Sequence, residues 1–277
     1  MNLPHIDMHM HTTYSDGAYT TEKLLLKAKE KGLNKISITD HDTVHSIKEA
    51  IEIGKDIGIE VIPGVELSTD IEDKEVHLLG YFIDIEHEEL KKYLQFFREE
   101  RVYRAKRMVS KLVKLGINIS MEDVMEVAQD SAIGRPHIAM VLQKLGVVTD
   151  YYEAFHKYLR DNGPAYERKI HVSPQSALKL ISDAGGLSFI AHPGHLKESI
   201  LMNLINAGID GIEVIHPSHN DYQIKFYRGI VNQYCLLESG GSDFHGGAKG
   251  DEDNFGKYLI NPQRFEDMKS MLHQSFE

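Results

Sequence analysis

Apolar residues recur at every second position in some stretches of the chain and at every third or fourth in others, and the two rhythms take turns. The segment "PHIDMHMH", residues 4–11, alternates as a strand does. "TTEKLLLKAKEKGL" follows with helical spacing, Thr20 or Thr21 serving as its N-cap and Gly32 as its stop. "NKISITD" is a short strand, and "TVHSIKEAIEIGKDIG" sets Val44, Ile47, Ala50 and Ile51 on one helical face ahead of Gly58. "IEVIPGVELS" and "EVHLLGYFID" are the next two strands. Alternation of this kind predicts a parallel sheet or barrel with its helices outside.

From about Glu88 to Glu167 the rhythm is helical throughout. "EELKKYLQFFREERVYRAKRMVSKLVKLG" reads as one long amphipathic helix with Leu94, Phe97, Met108, Leu112 and Leu115 inward. "SMEDVMEVAQD" has Ser120 and Asp123 in capping-box spacing, and "RPHIAMVLQKLG" and "DYYEAFHKYLRD" complete an all-helical insertion. The strand–helix rhythm then resumes. "SPQSALKLISDAGG" opens with Ser173 and Pro174, and "LSFIAHPG", "GIEVIHPS" and "CLLESGGSDFHG" are strands separated by two more helices. The pattern predicts an α/β barrel from residues 1–89 and 166–277, interrupted by a helical subdomain over residues 90–165.

Composition narrows the setting. Cys235 is the only cysteine, so no internal disulfide forms, and no stretch approaches the ~20 apolar residues of a membrane span. The opening lacks the charged and apolar regions of a secretion signal. These features together predict a cytoplasmic protein without a membrane contact, and no feature calls for a stable protein partner. The formal net charge of −11 argues against a general nucleic-acid coat, whose footprint is basic. The charge is split, however. Residues 90–169 hold 15 Lys and Arg against 10 Asp and Glu, leaving the rest of the chain strongly acidic. An acidic body with a basic insertion suits a protein that holds cations in the one and meets an anion with the other.

The candidate chemistry sits where the strands end. The first strand supplies His9 and His11, and the turn after it Asp16. The second ends at His41, the third at Glu66, and the fourth carries His77. The fifth ends at His192, the sixth at His216 and His219, the last at Asp243 and His245. C-terminal ends of parallel barrel strands converge on one face, and residues two apart on a strand point the same way. Each residue alone has an ordinary structural reading, as a cap, a surface side chain or a satisfied core histidine. Their arrival in phase does not. Imidazoles and carboxylates in this number exceed one tetrahedral site and suit two or three divalent ions; with no thiolate available, zinc, manganese or iron fits best.

The motifs "DMHMHTTYSDG", "ITDHDT", "PGVELS", "AHPG" and "SDFHG" resemble those of the PHP (polymerase and histidinol phosphatase) family. The resemblance implies a distorted seven-stranded α/β barrel with a trinuclear metal centre. It further implies one ion held by His9, His11, Glu66 and Asp243, a second by Glu66, His77 and His192, and a third by Asp16, His41 and His245. The helical insertion and "GRPHIA" resemble a subgroup of metal-dependent phosphoesterases. That subgroup removes the 3′-phosphate of nucleoside 3′,5′-bisphosphates or trims short RNA from its 5′ end. Ions so placed clamp phosphoryl oxygens and acidify a water for in-line attack on phosphorus. Arg135, with a planar fork suited to bidentate contact, is the first candidate for holding substrate phosphate, and His137, His195 and His219 are the second. Arg98, Arg101, Arg104, Arg107, Lys111 and Lys114, three or four apart, form a basic stripe that would draw a second phosphate. Three alternatives remain open: a histidinol phosphatase, a non-catalytic metal-binding PHP module, and a hydrolase of C–N bonds.

Overall fold

The computed structural model describes residues 4–72, 74–129, 131–247 and 249–274. Residues 1–3 of the opening segment and Asp130, the last residue of "SMEDVMEVAQD", lie outside them. The chain forms two compact units, Met1–Lys91 with His171–Glu277, and Lys92–Ile170.

The first unit is a nearly closed barrel of seven strands in sequence order: β1 (Ile6–Asp7), β2 (Lys35–Ile38), β3 (Glu60–Ile71), β4 (Lys74–Tyr81), β5 (Leu187–Ile190), β6 (Gly211–Ile215) and β7 (Leu237–Gly240). The seam closes beyond the short β1. Met8 N donates to Gly240 O at 3.2 Å, and Met10 bridges Phe244 in parallel. Gly241 is required at this seam, because a Cβ there would lie 2.4 Å from the Cβ of His9.

The expectation of a parallel sheet fails at β4, which runs antiparallel to both β3 and β5. The reason lies in the connection. Only two residues separate Ile71 from Lys74, while a parallel crossover needs a dozen or more, so β3 and β4 form a hairpin. The reversal places His77, near the start of β4, at the same barrel end as the ends of the parallel strands. His77 pairs with Ser68, two residues beyond Glu66 on β3, so Glu66 and His77 share one face.

The outer helices follow their sequence signals. Thr20 caps α1 (Thr21–Glu30) through Lys23 N, and Gly58, at φ +77°, ends α2 (Ile47–Ile57). Leu24, Leu25, Ala28, Ile47 and Ala50 of these helices pack on Ile36 and Ile38 of β2. Helix α3 (Glu88–Lys114) begins in the first unit and continues into the second. Leu94, Phe97, Met108 and Leu112 are buried as expected, but Leu115 is half-exposed because the helix has ended and Gly116, at φ +86°, turns the chain away. In the second unit Met108 and Leu112 form a core with Val124 of α4 (Met121–Ala128) and with Ile138 and Leu142 of α5 (Arg135–Lys144). The segment read as one more helix is a single turn, α6 (Tyr151–Ala154), running into a π-helical turn over Phe155–Leu159. Back in the first unit, α7 (Pro174–Asp183), α8 (Glu198–Asn206), α9 (Asp221–Gln233) and α10 (Pro262–Gln274) complete the shell. Among the described residues no helix is long and apolar enough to cross a membrane.

Candidate metal centre

Except Glu66 and His77, which lie within β3 and β4, the expected ligands sit two to nine positions beyond the strands that precede them. Loops therefore have to aim them, and buried carboxylates hold the loops. Asp40 accepts from Thr12 N and Thr12 Oγ1, both at 2.7 Å, and from the hydroxyls of Ser15 and Ser46, both at 2.6 Å. That knot ties the turn from His11 to Asp16 onto the loop after β2. Asp7 receives His9 N and Ser242 N, joining the two ends of the barrel seam. His192 and Asp243 both adopt left-handed backbone, at φ +26° and +49°, a strained conformation for residues with side chains that tends to collect at functional sites.

Four atoms converge at the centre. His9 Nε2 lies 3.1 Å from His11 Nε2, 3.4 Å from Glu66 Oε2 and 3.3 Å from Asp243 Oδ1. His11 Nε2 lies 3.3 Å from Glu66 Oε2 and 3.0 Å from Asp243 Oδ1. A tetrahedron of ligands about 2.0–2.1 Å from a zinc-sized cation has edges of about 3.3–3.4 Å, close to these five separations. The hydrogen-bond partners fit as well. His9 Nδ1 faces Glu213 Oε1 at 2.8 Å and donates to it, which turns Nε2 to the centre; burial opposes charge on the ring, but Glu213, Asp243 and Glu66 outweigh it and hold its pKa well above the usual value, so an ion bound at Nε2 displaces a proton. Ser15 gives its hydroxyl proton to Asp40, so across 3.5 Å it can only accept from His11 Nδ1, which leaves the Nε2 of His11 as a lone pair. Two ring nitrogens and two carboxylate oxygens facing one another suit a bound cation, whose place protons take in the metal-free chain.

Glu66 extends the centre. Its Oε1 lies 2.8 Å from His77 Nδ1 and 3.0 Å from His192 Nε2, while Oε2 lies 3.1 Å from His41 Nδ1. The other nitrogen of His41 is 3.8 Å from Asp16 Oδ1, which lies 3.1 Å from His245 Nε2. His41 thus stands between the second and third of the expected groupings, and could serve with Glu66 and His77 or with His11, Asp16 and His245. Asp16 Oδ1 and His41 Nδ1 are buried without a hydrogen bond, as unfilled ligand atoms would be.

In the metal-free chain protons do part of this work. Burial opposes charge on His77, but the carboxylates of Glu66 and Glu75 outweigh it and push the ring up to about 10. Burial also acts against an ionised Glu66, yet His41, His77 and His9 hold its carboxyl well below the usual range. His41 goes the other way: burial drives it down to about 3, so it is neutral and able to ligate.

All nine expected ligands therefore share one barrel mouth. Of the four candidates for substrate contact, His195 and His219 lie in the same unit and Arg135 and His137 in the other. His219 engages both ring nitrogens inside the protein, Nδ1 with Val214 O at 2.9 Å and Nε2 with Gly194 N at 3.0 Å, and braces the loop after β5. His195 is exposed on that loop. Arg135 and His137 lie in the second unit. Arg135 bonds Leu159 O and Asp161, and His137 accepts from Gly134 N while its other nitrogen meets Ser131 Oγ. The basic stripe is likewise partly engaged: Arg104, Arg107 and Lys111 hold the Tyr166–Glu167 segment.

Two further residues join the centre: Glu213, which the strand-end pattern did not select, and His216, which that pattern places at the end of the sixth strand but which is absent from the ligand set that the resemblance implies. Glu213 Oε1 meets His9, and its Oε2 accepts from His192 N at 2.6 Å, so one buried carboxylate orients two ligand residues. Its signal is a lone acidic residue within the apolar strand "GIEVI". His216 Nδ1 meets Ser218 N at 3.1 Å and Ser218 Oγ at 2.8 Å; its Nε2 is buried, without a hydrogen bond, 3.4 Å from Asp243 Oδ2, and forms a further set of ligand atoms with His9 and Asp243.

The sequence matches the PHP domain over residues 7–162. It is 30% identical over 245 residues to phosphoribosyl 1,2-cyclic phosphate 1,2-diphosphodiesterase of Eggerthella lenta, covering 87% of this chain and 94% of that protein. It is 32% identical over 258 residues to 3′,5′-nucleoside bisphosphate phosphatase of Chromobacterium violaceum, covering 91% and 90%. It is 32% identical over 247 residues to the 5′-3′ exoribonuclease Rnm of Escherichia coli, covering 86% and 84%. Among solved structures, a candidate metal-dependent phosphoesterase of Bifidobacterium adolescentis superposes with a TM-score of 0.86 at 30% identity, covering 96% of each chain.

Proposed function

The chain belongs to the PHP domain family and is a metal-dependent phosphoesterase, and from that premise we propose that it hydrolyses a phosphate ester on a ribose-bearing substrate. The reading is the 3′-phosphate of a nucleoside 3′,5′-bisphosphate, the 5′ end of a short RNA, or both. The observation that carries it is the convergence of His9, His11, Glu66 and Asp243, each turning a ligand atom into the barrel mouth within 3.0–3.4 Å of two others.

These four would hold one ion. Glu66 with His77 and His192 would hold a second, and Asp16, His41 and His245 a third. When bound, such ions neutralise the phosphoryl oxygens and acidify a water for in-line attack. Glu213 keeps the proton of His9 on Nδ1 and so keeps Nε2 available. His216 would present Nε2 beside Asp243, to an ion or to a phosphoryl oxygen. A cleft of about 250 Å³ opens next to His77 and His192, walled by Val76, Ile190, Ala191, Pro193 and Leu196. Its mostly apolar walls suit a sugar or base rather than a second charged group.

The relatives support a phosphorylated ribose. One is named for a phosphoribosyl cyclic phosphate, one for a nucleoside bisphosphate and one for RNA. The test is a panel assayed with manganese-loaded protein: a nucleoside 3′,5′-bisphosphate, a 5′-phosphorylated oligoribonucleotide, a ribose 1,2-cyclic phosphate, histidinol phosphate and an N-acyl amide. The expected result is a kcat/KM at least about tenfold higher for one of the first two than for histidinol phosphate. Turnover confined to histidinol phosphate or to the amide would overturn the proposal.

A further inference from the structure

The pocket formed by Asp16 and His245 already has a cation of its own. Directly after His245 the chain reads "GGAKG", and Gly246, Gly247 and Gly250 take φ of +71°, +83° and +71°. Residues with a Cβ would adopt these left-handed conformations at a cost. The segment brings Lys249 Nζ to 2.6 Å from His245 Nε2 and 3.0 Å from Asp16 Oδ2.

The hydrogen positions follow. His245 Nδ1 is 2.7 Å from the carbonyl oxygen of Asp243 and must donate to it. Its Nε2 is therefore the nitrogen turned to Asp16, 3.1 Å from Oδ1, and to Lys249. Lys249 thus stands against the nitrogen and the carboxylate that a third divalent ion would need. It does so as a compact charge on a flexible stem, and the side chain is half-exposed, so it is able to swing out.

We propose that Lys249 is the resident cation of the Asp16–His245 pocket, so that the protein holds two metal ions tightly and admits a third only by displacing this side chain. The inference rests on the metal-centre reading of the barrel mouth. It makes Lys249 a positioning residue: with two ions bound, it keeps Asp16 and His245 neutralised and in place. It also gives the third position a lower affinity than the same ligands would otherwise have, because ammonium and dication compete for the same atoms.

The test counts ions instead of turnover. Wild-type protein, Lys249→Met and Lys249→Arg are loaded with manganese, freed of excess metal by gel filtration and analysed for metal per chain. The expected result is about two ions for wild type and for Lys249→Arg, and about three for Lys249→Met. In a metal titration the third ion should bind Lys249→Met at least about tenfold more tightly than wild type. Thermal unfolding of the metal-free proteins supplies a second readout. Lys249→Met should unfold below wild type, because Asp16 loses its counter-charge, and should gain more on metal addition. If Lys249→Met does not fold, Lys249→Gln takes its place in the count. Three ions in wild type and variant alike would overturn the role of Lys249 and leave the metal centre standing. No ion in either would overturn both.

Discussion

Glu213→Gln should weaken metal binding without touching a single ligand. Each oxygen of Glu213 has one partner, His9 Nδ1 at 2.8 Å and His192 N at 2.6 Å, and both partners are N–H donors in a fully buried setting. Glutamine keeps one acceptor and replaces the other with a donor, so one of the two contacts becomes donor against donor. If the amide nitrogen faces His9, the ring escapes by moving its proton to Nε2, the atom aimed at Glu66 and Asp243, and that ligand is lost. If it faces His192, the loop after β5 shifts and takes the imidazole of His192 away from Glu66. A hydrogen bond to a charged group contributes about 1.5–3 kcal/mol, which is roughly 10–100-fold in binding. The assay is competition for zinc or manganese against a chromophoric chelator. Glu238→Gln is the control: Glu238 is equally buried on the neighbouring strand but pairs with Arg228, at 2.6 Å and 3.0 Å, away from the centre. Metal affinity of folded Glu213→Gln within about twofold of wild type would refute the reasoning.

Asp40→Ala should destabilise the metal-free protein by about 2–4 kcal/mol, since four donors lose one buried acceptor; an unchanged urea midpoint would count against the knot. Metal affinity should rise with pH from 7 to 9, by about tenfold per unit for each proton displaced. The sign follows from His77, which keeps its proton up to about 10 in the metal-free chain and must lose it to ligate. Proton release on metal addition, read with a pH indicator in weak buffer, checks this, and pH-independent affinity would contradict it. Arg104→Met should lower the stability of the helical unit by about 1.5–3 kcal/mol, because Arg104 is buried and donates to Glu167 O at 2.7 Å. A loss confined to KM for a bisphosphate, with no change in unfolding, would instead assign Arg104 to substrate.

The site was more legible in the sequence than the sheet that carries it. Histidine and carboxylate are costly to bury without a partner, so their recurrence at the ends of apolar runs signalled a common destination. The direction of β4 carries no such mark. A strand reads the same either way, and only the length of the Ile71–Lys74 link sets the reversal. Leu115 failed for a local reason: it follows the last helical turn, where periodicity no longer fixes the side that faces the core. Helix α10 was passed over although Phe265 and Met268 sit at helical spacing and are fully buried. Their short apolar pattern lies among polar residues and offers less contrast than the earlier helices. Glu213 and Lys249 were missed because their roles depend on what lies across the barrel, His9 in one case and Asp16 in the other. Arg135 and His137 are substrate candidates by residue type, and each also has partners within its own unit.

The central claim is that the barrel mouth around Glu66 is a metal centre for phosphoester hydrolysis. The most direct measurement is an anomalous-difference map from crystals of the manganese-loaded protein, collected near the manganese edge with a phosphate analogue present. The account predicts one peak coordinated by His9, His11, Glu66 and Asp243, a second sharing Glu66 with His77 and His192, and the analogue's oxygens in contact with both. Density for ions elsewhere, with none bound by these side chains, would contradict it.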